Sequence, residues 1–211
     1  MTEKNVEAIV AGGSPIRAQQ GVDAHLVERL VRSDSVYDGH FLKVRRDQVK
    51  LPDGQLAWRE HIVHPGAVMI VPITDDGQLV VERQHRYPLD HVLLEFPAGK
   101  LDSGETTLAC AKRELLEETG YTAREWAYAG RLHNAPAYSN EFIEIWLARG
   151  LVAGAQQLDA GEFVEVLTMA EAALLARSAS GELTDAKTMV ALLKLQLWRS
   201  GQWVPTWVAG E

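Results

Sequence analysis

The residues with the strongest chemical pattern lie between Gly99 and Tyr121, in the stretch GKLDSGETTLACAKRELLEETGY. On a helix, at about 100° per residue, Glu114, Glu117 and Glu118 fall on one face, because residues three and four apart are neighbours. Three carboxylates on one face repel each other unless a hard cation lies between them. Mg²⁺ takes oxygen ligands and keeps some of its water, so it suits this cluster together with a substrate diphosphate. The pattern therefore predicts a metal site that neutralises phosphate charge and lowers the pKa of an attacking water.

A solvated helix face is the ordinary explanation of a run of charges. Solvation does not explain Gly99, Arg113 and Gly120, which accompany the acids at fixed spacings. The stretch matches the Nudix box, G-x₅-E-x₇-R-E-U-x-E-E-x-G-U, where U is a bulky apolar residue, with aromatic Tyr121 as a mild departure. The matching positions are Gly99, Glu105, Arg113, Glu114, Leu115, Glu117, Glu118, Gly120 and Tyr121. The chain therefore resembles the Nudix hydrolase family.

This resemblance implies a role for most residues of the box. Glu114, Glu117 and Glu118 would bind Mg²⁺, for which Mn²⁺ is a possible substitute, together with the backbone carbonyl of Ala98. Glu117 and Glu118 would thereby act in catalysis. The other fixed positions would be structural, with an ion pair between an acid and an arginine that shapes the loop-helix-loop. These structural positions are Gly99, Glu105, Arg113 and Gly120.

Outside the box, the chain resembles the ADP-ribose pyrophosphatase branch of this family over about residues 30–200. The similarity is carried by YDGHFLKV, REHIVHPGAVMIVPI, VERQHRYP, LLEFPAGKLDSGE and NAPAYSNEF. Pro136 lies fifteen residues after Tyr121, where that branch has its substrate-selecting proline. Ala137 departs from the pattern, since many relatives have glycine there. The resemblance implies hydrolysis of ADP-ribose, a nucleoside diphosphate derivative, to AMP and ribose 5-phosphate.

Two alternatives stay open. Another sugar nucleotide, such as GDP-mannose, is the alternative substrate. An alternative of another class is a Nudix-fold sensor that binds ADP-ribose without hydrolysing it. The intact set of Glu114, Glu117 and Glu118 argues against a sensor, which has less need of a complete metal cluster.

The resemblance also implies residues that bind substrate. Arg86 would contact the diphosphate, since a guanidinium fork fits phosphate oxygens. Glu95 would bind ribose or a metal-bound water. Phe41 would stack on adenine and Arg59 would flank it. The alternatives are core packing for Phe41 and surface ion pairs for Arg59 and Arg86.

The resemblance places a catalytic glutamate in a mobile loop late in the chain. Glu162 occupies this position, and Glu165 and Glu141 are its rivals. Gly161 beside Glu162 permits the movement that such a loop requires. The ordinary alternative is a solvent-exposed loop acid.

Composition bounds the partners of the chain. The formal net charge is −8, without the basic footprint of proteins that bind nucleic acid or anionic lipid. Cys110 is the single cysteine, so no internal disulfide is possible, and no apolar run has the length of a signal peptide or membrane span. We therefore expect a cytoplasmic protein. In the relatives an N-terminal sheet packs across a homodimer, so a homodimer is expected here too.

The pattern of apolar residues predicts the elements that position these groups. DG dipeptides at Asp38-Gly39 and Asp53-Gly54 separate three β-rich runs, which predicts a small antiparallel sheet. Further strands are expected at 66–73, 78–82, 92–96, 126–132, 142–148 and 163–167. Helices are expected at 105–119, at 169–177 after a capping box formed by Thr168 and Glu171, and at 185–200.

The order of elements predicts a mixed α/β (α+β) class. The resemblance adds the Nudix fold, a mixed sheet sandwiched between helices, with an N-terminal antiparallel sheet attached. We expect a mobile segment at 1–24, the N-terminal sheet at 25–64, the Nudix domain at 65–203 and a tail at 204–211.

Overall fold

The computed structural model describes residues 23–210, so the mobile segment expected at 1–24 lies almost wholly outside the described residues. Backbone contacts divide this part of the chain into two compact units. The smaller unit comprises residues 23–66 and 133–142, and the larger comprises residues 67–132 and 143–210. No helix in the described part is long and apolar enough to cross a membrane.

The smaller unit is built on a three-stranded antiparallel sheet. Its strands are β1 (Arg29–Asp38), β2 (Lys43–Lys50) and β3 (Leu56–Val63), in that order across the sheet. Both DG turns connect neighbouring strands, and Gly54 has a φ of 89°, a conformation that strains residues with a side chain. The antiparallel sheet predicted from the DG spacing is confirmed.

The larger unit contains an eight-stranded mixed sheet. Its strands are β4 (Ala67–Ile73), β5 (Leu79–Arg86), β6 (His91–Glu95), β7 (Ala98–Lys100), β8 (Tyr121–Leu132), β9 (Ile143–Ala153), β10 (Val164–Met169) and β11 (Trp207–Ala209). The main order is β10-β5-β4-β9-β8-β11, with β6 beside β5 and β7 beside β4. The central pair β4 and β9 is parallel, and the other pairs are antiparallel. All residues of the central strand β4 are buried, as expected for a strand that helices cover on both faces, and this explains its apolar sequence.

Three helices cover the two faces of this sheet. They are α1 (Thr107–Thr119), α2 (Glu171–Ser180) and α3 (Ala186–Arg199). Alternate side chains of β4, including Met69 and Val71, join a core cluster with Leu174 of α2 and Leu192 of α3. The intervening residues of β4 point to the opposite face, where α1 packs on the strand. The expected mixed sheet between helices is therefore confirmed.

Two sequence expectations differ from the structure. The capping box at Thr168 and Glu171 is wrong, because Thr168 belongs to β10, and α2 begins after Ala170 without a side-chain cap. Pairing with β5 extends the strand through Thr168, and this long-range contact outweighs the local capping signal. The C-terminal stretch carries an unexpected strand, β11, which pairs with β8.

Candidate active site

Helix α1 carries the three acids of the box and is fixed at both ends. Thr106 caps its N-terminus by accepting a hydrogen bond from the Ala109 amide, at 3.2 Å. Gly120 ends it in the left-handed conformation, with a φ of 74°, and its amide bonds the Leu116 carbonyl. Leu115 is fully buried on the sheet side of the helix. These constraints set the rotation of α1 and hence the direction of its acids.

Arg113 connects the acids at the surface of α1. Its guanidinium donates to both oxygens of Glu105, at 3.0 and 2.9 Å. Its Nη1 donates to Glu114 at 2.7 Å and to Glu117 at 2.9 Å. The Glu105 bonds raise the pKa of Arg113 and lower that of Glu105. One fixed cation therefore holds three carboxylates close together.

The short strand β7 lies against the acids of α1. The Ala98 amide donates to Oε2 of Glu118 at 2.9 Å. A Cβ at Gly99 would lie 1.9 Å from the carboxyl carbon of Glu114, so only glycine lets this carboxylate approach the strand. Ala98 and Gly99 of β7 are thus in direct contact with Glu118 and Glu114, respectively.

Burial opposes the negative charge of two of these acids. Desolvation is the largest cause that raises the pKa of Glu114, and together with the charges of Glu117 and Glu162 it outweighs the opposing effect of Arg113. Desolvation also raises the pKa of Glu118, and the charges of Glu82 and Glu114 add to the effect. A bound cation would reverse this balance by favouring the ionised carboxylates.

A second charged cluster is centred on Glu95, the last residue of β6. Arg86 forms a bidentate pair with Glu95, with N–O distances of 2.7 and 2.8 Å. Lys187, at the start of α3, also donates to Glu95, and its Nζ lies 3.1 Å from Asp185. Burial alone would raise the pKa of Glu95, but the bonds from Arg86 and Lys187 together hold it below its usual value. Arg86 is thus oriented by a buried carboxylate, and not by the surface ion pair considered as an alternative from the sequence.

Sequence reasoning missed Glu82, which is fully buried in β5. Burial is the largest cause that raises its pKa, and the charge of Glu95, its cross-strand neighbour, adds to this effect. Lys187 was missed as well, although it lies in the amphipathic stretch predicted as a helix. The sequence did contain a signal for Glu82. This acid directly follows the apolar run LVV, and in a strand it lies on the same face as Gln84 and Arg86.

Glu162 lies in a turn just before β10. Its amide bonds the Asp159 carbonyl at 3.0 Å, and its carboxylate accepts from the Asp159 amide at 3.4 Å. Gly161, with a φ of 92°, shapes this turn. The charge of Glu162 contributes to the raised pKa values of Glu114 and Glu118, so it lies within electrostatic reach of the acids of α1.

The rival Glu165 lies on β10 and pairs with Arg83 at 2.6 Å. Glu162 and Glu165 both border an open groove of about 430 Å³ in the larger unit. The groove is lined by Arg83, His85, Val92, Leu158, Glu162, Phe163, Val164 and Glu165. Arg83 alternates with Glu82 along β5, so the groove and the buried Glu82 lie on opposite faces of that strand.

The remaining candidates belong to the smaller unit. Phe41 is half exposed and meets the ring of His64 edge-on, with 5.7 Å between centroids. Arg59 pairs with Glu28 at 2.9 Å, and a surface ion pair is the alternative to adenine binding that the sequence left open for this residue. Pro136 lies in the turn before Ser139, whose amide bonds the Ala135 carbonyl at 2.9 Å. The other rival base is in the same unit, where Glu141 lies 3.7 Å from His64.

The donor set of the larger unit fits a hard divalent cation. Carboxylate and carbonyl oxygens are the ligands that Mg²⁺ and Mn²⁺ prefer. Both oxygens of buried Glu82 have no hydrogen-bond partner among the described residues, as expected where a hydrated cation is part of the site. Among residues 23–210, no three acidic, histidine or cysteine side chains are already arranged around one metal position. Arg113 instead forms ion pairs with Glu114 and Glu117. The oxygen ligands therefore fit a divalent metal ion, and Arg113 competes with that ion for Glu114 and Glu117.

Two protein families match the chain in consecutive segments. A family described as the NUDIX domain matches residues 63–188. The preceding residues 28–62 match a family described as the nucleoside diphosphate sugar hydrolase N-terminal domain. The second segment contains β1, β2 and all but the last residue of β3 of the small sheet.

Curated relatives and solved structures cover most of the chain. An ADP-ribose pyrophosphatase of Bacillus subtilis is 36% identical over 82% of this chain and 94% of its own length. The methanol dehydrogenase activator of Bacillus methanolicus is 35% identical over 81% of this chain and 93% of its own length. A crystal structure of an ADP compounds hydrolase superposes with a TM-score of 0.74 and 26% identity, covering 83% of this chain and 95% of that one.

Proposed function

The chain belongs to the Nudix family, and we propose that it is a Mg²⁺-dependent pyrophosphatase that hydrolyses ADP-ribose to AMP and ribose 5-phosphate. The observation that carries the proposal is the buried acidic face of α1 packed against β7, beside an arginine oriented by a buried glutamate. The similarity to an ADP-ribose pyrophosphatase over most of both chains supports this substrate.

We assign the metal to Glu114, Glu117, Glu118 and the backbone carbonyl of Ala98. Mg²⁺, or Mn²⁺ in its place, supplies neutralisation of phosphate charge and a water of lowered pKa. Arg113 limits the repulsion between Glu114 and Glu117 when no substrate is bound. Glu105 fixes Arg113 through two hydrogen bonds, so its role is structural.

The residues around this cluster orient substrate and water. Arg86 contacts the diphosphate, and Glu95 holds the guanidinium fork in place or accepts from ribose or a bound water. We assign to Glu162 the removal of the proton from the attacking water, because its exposed carboxylate lies in a glycine turn and its charge acts on Glu118. In the smaller unit, the family resemblance supports the proposal that Phe41 stacks on adenine, Arg59 flanks it and Pro136 selects the substrate.

We further propose that the protein is a cytoplasmic homodimer. The three-stranded sheet exposes large apolar side chains, including Leu30, Leu56 and Trp58. Exposed apolar surface of this kind is typical of a protein interface, and a second copy of the chain is the occupant that the family implies. Light scattering that gave the mass of a single chain at micromolar concentration would contradict the dimer.

The decisive experiment measures products with Mg²⁺ for ADP-ribose, GDP-mannose, NADH and diadenosine polyphosphates. We expect preferred cleavage of ADP-ribose to AMP, a loss of at least about 100-fold in Glu118→Gln, and normal activity in Glu125→Gln. Glu125 is a half-buried acid on β8 paired with Arg149 at 2.8 Å, so it controls for the change of charge.

Preferred cleavage of GDP-mannose or another compound would support the hydrolase activity but contradict ADP-ribose as its substrate. Tight binding of ADP-ribose without turnover would favour the sensor. Full activity in Glu118→Gln would remove the proposed metal site.

A further inference from the structure

Glu82 is buried within the larger unit without a hydrogen-bond partner. Its side chain is 0% exposed, and neither carboxylate oxygen has a partner among the described residues. An unsatisfied buried carboxylate is costly, and native structures retain few of them without a water, an ion or a function. Its position in a sheet strand offers no evident structural gain to offset this cost.

The nearby cations do not satisfy Glu82. Arg86 directs both of its described hydrogen bonds to Glu95. Lys187 directs its Nζ to Glu95 and Asp185. Glu82 is therefore the one member of this cluster, among the residues described, whose charge no side chain neutralises by direct contact.

The sheet directs Glu82 to the face on which α1 packs. Leu79 and Val81 of β5 join the core cluster with residues of α2 and α3, so the alternate residue Glu82 points to the opposite face of the sheet, where α1 packs against β4. Glu82 pairs across the strands with Glu95, which lies three residues before Ala98, and the Ala98 amide donates to Glu118 at 2.9 Å. In agreement with this placement, the charge of Glu82 raises the pKa of Glu118. The unsatisfied carboxylate thus lies beside the residues assigned to the metal.

We propose that Glu82 is a fourth carboxylate of the metal site, which accepts hydrogen bonds from water bound to the cation. The inference rests on the proposed metal site and adds to it a residue from outside the Nudix box. Mg²⁺ and Mn²⁺ keep several waters in protein sites, and each such water requires an acceptor. Outer partners of this type orient the water and strengthen cation binding.

The test measures Mn²⁺ binding to the metal-free full chain, without nucleotide, by electron paramagnetic resonance. Glu82→Gln keeps the size of the side chain and removes its charge, and we expect the Kd for Mn²⁺ to rise about 10-fold or more. Glu118→Gln is the positive control and should lose more affinity. Glu82→Val, which suits a strand beside Val81, should show the same weakening and serves if the glutamine variant does not fold.

Glu144→Gln is the matched control. Glu144 is an equally buried strand glutamate, but Arg131 and Thr107 satisfy its carboxylate, so its Kd for Mn²⁺ should stay within about twofold of wild type. Glu125→Gln provides the same comparison if that variant is unstable.

The outcomes separate the two proposals. Mn²⁺ binding unchanged in Glu82→Gln and Glu82→Val, but lost in Glu118→Gln, would overturn the role of Glu82 and leave the proposed function intact. A wild-type protein that binds no Mn²⁺ and hydrolyses none of the nucleotides would overturn both.

Discussion

At the residue scale, the site depends on which partner each charge has. Arg113 donates to three glutamates at once, and Arg86 is held by Glu95. The guanidinium groups of Arg113 and Arg86 are therefore already oriented, so less conformational entropy is lost when phosphate binds. Glu82, which has no hydrogen-bond partner among the described residues, is then available to water, whereas Glu114 and Glu117 must exchange Arg113 for the metal.

The base assignment makes a prediction at this scale. Glu162→Gln should lower kcat by about 10²- to 10⁴-fold with little change in KM, because a base acts in the transition state and contributes little to binding. Steady-state kinetics with ADP-ribose and Mg²⁺ measure both constants. An equal loss in Glu165→Gln, with Glu162→Gln unaffected, would move the base to β10.

At the scale of elements, the contact between β7 and α1 is the tightest constraint on the site. Gly99 leaves room for the Glu114 carboxylate, and the Ala98 amide holds Glu118. The helix end at Gly120 is also closely packed, since a Cβ there would lie 2.8 Å from the Gly154 carbonyl oxygen. The two glycines of the Nudix box therefore serve close packing at both ends of the acidic face.

Gly99→Ala tests this contact. We expect a loss of about 1–3 kcal/mol in the free energy of unfolding and at least a tenfold loss of kcat, since Glu114 must move aside. Gly104→Ala is the comparison, because a Cβ there meets nothing within 4 Å while its φ of 79° imposes backbone strain.

Urea unfolding and steady-state kinetics distinguish the two variants. Gly104→Ala should lose stability with kcat nearly unchanged. Normal activity in Gly99→Ala would show that Glu114 does not need its position against β7.

At the scale of the whole molecule, the buried acids couple stability to pH. The raised pKa values of Glu82, Glu114 and Glu118 mean that the folded chain holds protons which the unfolded chain releases near pH 4.5. Their effect on stability is therefore most favourable below about pH 4.5 and weakens as pH rises toward the folded pKa values. Acids with lowered pKa, such as Glu95 and Glu105, act in the opposite direction and mainly below that range.

Without metal, the protein should lose stability as pH rises from about 5 to 8.5, and Mg²⁺ should oppose this loss by neutralising the same acids. Thermal unfolding across this range, with EDTA or with Mg²⁺, measures both effects. Glu82→Gln should show a shallower decline in EDTA than wild type. A metal-free protein that became more stable over this range would contradict the prediction.

The sequence by itself determined the features that depend on spacing along one segment. The acidic face of α1 follows from helical periodicity, and the hairpins follow from the DG turns. The resemblance of residues 99–121 to the Nudix box also predicted the mixed sheet between helices. Local signals were less reliable where distant partners compete, as the strand at Thr168 shows.

Only the tertiary structure decided which distant side chains meet. Glu95 and Lys187 are 92 residues apart in sequence, and Glu82 joins them through strand pairing. Whether an acid such as Glu82 is solvated or buried depends on what covers its strand, and here that is a helix formed later in the chain. Local periodicity does not encode such contacts, because register and layer packing are set by the whole sheet. The buried carboxylate beside the metal site therefore became visible only in the fold.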